Sequence, residues 1–78
     1  MTIKEFALGL RKELWIERNP AKISEKINMQ NFSEEVKRQI IGYIEYGNLY
    51  DRKIKNYSNN SDFLELVSEV KRRVIGGN

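Results

Sequence analysis

Lys4, Leu8, Arg11, Trp15 and Arg18 recur at spacings of four, three, four and three. On a helix this places three cations, one leucine and the single tryptophan of the chain on one stripe. No acid interrupts the stripe, and Glu13 and Glu17 fall on the opposite flank. Three kinds of chemistry suit such a face. Trp15 and Leu8 can pack under a neighbouring helix, with Arg and Lys stems laid over them. The same pair can anchor a protein partner, since Trp and Arg dominate the centres of interfaces. Alternatively the cations can contact phosphates while Trp15 stacks on a base. Lys37, Ile41, Asn48, Arg52 and Lys55 form a second, comparable flank, with Tyr46, Tyr50 and Tyr57 around it. Of these, Lys37, Arg52 and Lys55 are the candidates for nucleic-acid contact.

Reactive chemistry is scarce. The chain has no cysteine and no histidine, which removes disulfides, thiolate nucleophiles, zinc fingers and the usual general base near neutral pH. Glu34 and Glu35 are adjacent, but neighbours on a helix point about 100° apart and do not converge on one proton or metal. Gly42 and Gly47 have the glycine spacing of a phosphate-binding loop, yet Asn48-Leu49 follows where Lys-Ser/Thr is required. Asn31-Phe32-Ser33, Asn56-Tyr57-Ser58 and Asn59-Asn60-Ser61 fit the glycosylation sequon and read instead as cap and loop residues. The expectation is a protein that is not an enzyme and that uses no cofactor and no metal.

The elements that would position these faces are helical. Thr2-x-x-Glu5 is a capping box, and Ile3, Phe6, Ala7, Leu10 and Leu14 follow at one-face spacing. Asn19-Pro20 closes that helix and opens the next, with Asn19 as N-cap and Pro20 in the first turn. The second helix offers Ile23 and Ile27 to a core. After a polar hinge, Val36, Ile40, Tyr43, Gly47, Tyr50, Ile54 and Tyr57 form a heptad-like stripe. Gly42 and Gly47 oppose a continuous helix there, but the stripe keeps its phase through Gly47, which favours one helix bent at that residue. Asn60 or Ser61 then caps a last helix with Phe63, Leu66, Val67, Val70 and Val74 on its apolar face. Its acids come early and its bases late, as the helix dipole favours.

The expected architecture is therefore all-α, a single domain over residues 1–78 built as a bundle of three to four helices. Their expected spans are about 2–18, 20–28, 33–57 with a kink or break near Gly47, and 61–75. The expected core is Phe6, Leu10, Leu14, Val36, Ile40, Tyr43, Phe63, Val67 and Val70. Two DNA-binding arrangements fit poorly. Ile23 to Ile40 as a helix-turn-helix has too long a turn and two acids opening its second helix. A ribbon-helix-helix starting at Lys26–Gln30 has too long a link between its helices.

With 14 Lys+Arg against 11 Asp+Glu the net charge is +3, a mixed surface more than a basic arm. No apolar run approaches the length of a membrane span, and Lys4 and Glu5 stand where a signal peptide would be apolar. The expected location is the cytoplasm. Nine Ile, eight Lys and eight Asn against two Ala suggest AT-rich coding, as in many low-GC bacteria and their phages. The reading is a small regulatory protein that inhibits or adapts a protein partner, with no membrane association, through Lys4, Leu8, Arg11, Trp15 and Arg18. A DNA- or RNA-binding regulator is the alternative, and a homo-oligomer is compatible with either.

Overall fold

A computed structural model describes residues 1–54, 57 and 60–76. Among them are four α-helices, α1 (Ile3–Glu17), α2 (Pro20–Asn28), α3 (Glu34–Tyr46) and α4 (Ser61–Ile75), with a 3-10 helix at Gly47–Arg52 and no strand. The described residues contain no helix long and apolar enough to cross a membrane. The helices close a ring in the order α1, α2, α4, α3, each packed on the next and α3 back on α1.

Each helix begins where a side chain satisfies its first backbone N–H groups. Thr2 Oγ1 accepts from Glu5 N, and the Glu5 carboxylate accepts from Thr2 N, both at 3.1 Å. Asn19 Oδ1 accepts from Lys22 N at 3.2 Å, with Pro20 in the first turn. Ser33 Oγ accepts from Val36 N. Asn60 is the residue that caps α4, its Oδ1 accepting from Asp62 N and Phe63 N at 2.8 and 3.2 Å.

The core comprises Ala7, Leu10 and Leu14 of α1, Ile23 and Ile27 of α2, and Phe63, Val67, Val70 and Val74 of α4. From α3 it takes Ile40, Ile41 and Ile44. Phe6, Val36 and Tyr43, expected inside, are half-buried and pack against this core from its margin. The buried face of α3 is thus turned from the heptad stripe toward Ile41 and Ile44. The cause is position: besides lying between α1 and α4, α3 is covered by the 3-10 helix that follows it, and a single stripe cannot describe so wide a covered surface.

The stripe also misjudged Gly47. The chain does not run through it as one bent helix; α3 ends at Tyr46, and Gly47 adopts φ 65°, ψ −144°, outside the reach of most side chains. The backbone then tightens into the 3-10 helix and reverses at Lys53, φ 50°. This folds Tyr50 back onto α3. Its ring lies edge-on to Tyr43 (centroids 4.7 Å) and over Gly42, where a Cβ would stand 2.6 Å from the Tyr50 Cζ. Gly42 is therefore a seat for an aromatic ring.

Gly42→Ala is expected to lower stability by about 1–3 kcal/mol, as overpacking does. In a Tyr50→Ala background the same change should be neutral or stabilising, since alanine is the better helix former. Denaturant titration of the two single variants and the double variant measures this coupling. Additive effects would mean that the ring does not rest on Gly42.

Candidate functional site

The stripe of cations, leucine and tryptophan lies on α1, with Arg18 as the left-handed C-cap of that helix, and its members have different duties. Arg11 is half-buried and points into the broken end of α3. Its guanidinium donates to the Ile44 carbonyl, to the Glu45 carbonyl at 2.9 Å and to the Tyr57 hydroxyl at 2.9 Å, and lies 5.0 Å from the centre of the Phe63 ring. The last four carbonyls of any helix lack partners within it, and a cation there also meets the negative end of the dipole. α3 carries no basic residue in its own last turn. Arg11 supplies the missing charge from another helix, and Gly47 leaves room for it: a Cβ at Gly47 would stand 3.3 Å from Arg11 Nε.

Lys4 is engaged in a similar way. Its ammonium pairs with the Asp51 carboxylate and sits 5.9 Å from the Tyr43 ring centre, and Tyr43 Oη donates to Asp51 Oδ1 at 2.6 Å. The Lys4 ammonium, then the Tyr43 hydroxyl, hold the Asp51 carboxyl below its ordinary range, and the same bond raises the Tyr43 phenol. On the other edge of α1, Glu13 receives Lys26 at 2.8 Å and Lys22 at 3.4 Å, and Glu17 receives Lys22 at 2.9 Å. Hydrogen bonding from Lys26 is the largest cause lowering the Glu13 pKa.

Leu8, Trp15 and Arg18 remain toward solvent. Trp15 is 45% exposed; one edge packs on the buried Phe63 at 5.0 Å between centroids, and the Arg18 guanidinium lies 5.2 Å from its ring centre. Leu8, Arg11, Lys12 and Trp15 line an open groove of about 280 Å³ that has no carboxylate in its wall. Lys12 forms no ion pair with any described residue. Lys12 and Ile16 extend the face beyond the five residues that the stripe named. The signal was present: Lys12 stands four residues after Leu8 and three before Trp15, and Ile16 is an apolar residue on the solvent side, 67% exposed.

The second flank does not form a continuous strip. Ile41 is core, Lys37 is half-buried on α3, and the break at Gly47 carries exposed Arg52 onto the 3-10 helix; Lys55 lies outside the described residues. The tyrosines around it pack on one another at the same corner, Tyr46 stacked on Tyr50 (6.4 Å, 6°) and edge-on to Tyr57 (5.5 Å). No group of acids among the described residues is placed to hold a metal ion. Glu34 pairs with Arg38 on the surface at 2.9 Å.

The described residues thus form a bundle of four α-helices with a half-exposed tryptophan set in a cationic groove. Compared with protein-family models, with curated proteins and with solved structures, the chain matches none.

Arg11→Met keeps the stem and removes the donors from which the Ile44 and Glu45 carbonyls accept. It should cost about 1.5–3 kcal/mol, more than Tyr57→Phe, by chemical denaturation. Equal effects of the two changes would refute the capping role. Asp51 and Glu13 both titrate below their unfolded values. Their contribution is complete above the unfolded carboxylate pKa and disappears as pH falls through the folded one. Asp51→Asn should accordingly flatten the fall in melting temperature between about pH 5 and about pH 2. An unchanged acid limb would show that the Lys4–Asp51 pair does not stabilise the fold.

Proposed function

We propose that the protein is a non-catalytic regulator of the phage or mobile-element type, acting in the cytoplasm by binding a protein partner through the Trp15 groove of α1. The observation that carries this reading is the state of Trp15. A small domain has few large aromatics, yet this one leaves its tryptophan 45% exposed beside half-buried Leu8, with Lys12 and Arg18 at the margin. A large amphipathic ring in a shallow apolar groove with a cationic rim is the composition of an interface anchor.

The engagement of the other cations favours a protein over a nucleic acid. Lys4 is paired with Asp51, and the donors of Arg11 are taken up by the end of α3, so two of the three stripe cations are already engaged within the fold. Phosphate binding draws its strength from the number of cations free to displace counterions. A face reduced mainly to Lys12 and Arg18 supplies few.

Trp15→Ala should remain folded, costing about 2 kcal/mol because only part of the ring is buried, while losing roughly 2 kcal/mol or more of binding. Circular dichroism and affinity capture from extract of the source cell, with and without nuclease, test both halves. A captured protein that survives nuclease and is absent with Trp15→Ala supports the reading. Recovery that disappears with nuclease would transfer the function to nucleic acid. A Trp15→Ala chain unfolded at room temperature would make the tryptophan a core residue.

A further inference from the structure

Gly9 lies near the middle of α1, exposed, and a Cβ built on it would meet nothing within 4 Å. Glycine in a helix interior is about 1 kcal/mol worse than alanine. No contact with a described residue requires it here. Gly42 and Gly47 differ in this respect, since one seats a ring and the other takes a positive φ. A glycine on an outer helix face removes side-chain bulk where another backbone comes close.

The residues around Gly9 indicate which backbone. Glu5, Gly9, Lys12 and Ile16 follow at spacings of four, three and four, the pattern of a heptad seam, and all four are exposed on the side of α1 away from the core. Along the helix axis Glu5 lies about 6 Å before Gly9 and Lys12 about 4.5 Å beyond it, at 1.5 Å per residue. If two copies of α1 cross antiparallel at Gly9, Glu5 of one copy stands opposite Lys12 of the other, and the twofold axis makes the pair twice. Ile16, 67% exposed, then comes opposite the beginning of the second copy, where Met1 is 97% exposed. Glu5 accepts one bond, from Thr2, and neither Glu5 nor Lys12 has an ion-pair partner among the described residues. An isologous interface requires that one patch complement itself, and this one does. The net charge of +3 presents little repulsion between copies.

We infer that the protein self-associates as an antiparallel twofold dimer through the Glu5, Gly9, Lys12 and Ile16 strip of α1. The strip shares Lys12 with the wall of the Trp15 groove but does not include the tryptophan, and the inference does not rest on the proposed function. One helix of this length covers less than the roughly 800 Å² per partner of a standard interface, which puts the dimer in the weak class.

Sedimentation of the purified chain from about 10 µM to about 1 mM, the range of a weak complex, should show mass rising from monomer toward dimer. Glu5→Lys and Lys12→Glu should each associate about tenfold or more weakly, because like charges then face one another. Mixed together, the two variants should recover a heterodimer, since both charge pairs become complementary. That rescue separates the interface from any loss of the Thr2 capping box in Glu5→Lys. Gly9→Leu should melt no lower than the native chain and remain monomeric; Trp15→Ala should still associate. A native chain monomeric throughout the range, a mixture that fails to associate, or a Gly9→Leu chain that dimerises normally would each overturn the dimer.

Discussion

The guanidinium of Arg11 at the end of α3 is the contact on which the rest of this fold depends. α3 stops at Gly47 with carbonyls that its own residues do not satisfy, and the charge that meets them comes from the middle of α1. One side chain thereby fixes the distance between two helices, ties Tyr57 to them and covers one face of the buried Phe63. Arginine suits this task where lysine does not, because its planar fork reaches several acceptors at once and stacks on a ring. Lys4 and Asp51 repeat the theme about two turns of α1 away, joining the start of α1 to the 3-10 helix. The α1–α3 contact is therefore polar along one edge and apolar at its centre.

This arrangement explains which parts of the molecule could be read in the sequence. Helix starts were legible because they are local: Thr2, Asn19 and Ser33 act on backbone groups within three residues. The apolar faces of α1 and α4 were legible because each helix turns one side to the core. α3 was not, because the 3-10 helix folds back on it besides its two helical neighbours, and Ile41 and Ile44 lie off the stripe of Val36, Ile40 and Tyr43. Gly47 was ambiguous for another reason. A heptad phase measures only where apolar residues fall, and the 3-10 helix brings Tyr50 back to α3 by a different route.

The same division runs through the candidate site. The sequence places Lys4, Arg11 and Arg18 on one stripe with Trp15; Lys4, Arg11 and Trp15 belong to α1, and Arg18 is its left-handed C-cap. What spacing could not reveal is what each cation faces. Asp51 lies 47 residues from Lys4, and the carbonyls that hold Arg11 lie 33 and 34 residues away. Long-range polar partners leave no periodic signal. Trp15 kept a readable role because its surroundings, Leu8, Lys12 and Arg18, are on its own helix or at its end.

The ring order α1, α2, α4, α3 bears on how the chain acquires its shape during synthesis. Domains emerge from the ribosome N-terminus first, at about 5–20 residues per second. α1 is made first, yet its partners are the end of α3, Asp51, Tyr57 and finally Phe63 of α4. α2 likewise awaits α4. α1 and α2 touch each other only slightly, so the nascent chain carries Leu10, Leu14 and Ile23 largely uncovered until α3 and α4 have been made. Docking is then a single late event, and any truncation that removes α4 leaves the first two helices without a core to join.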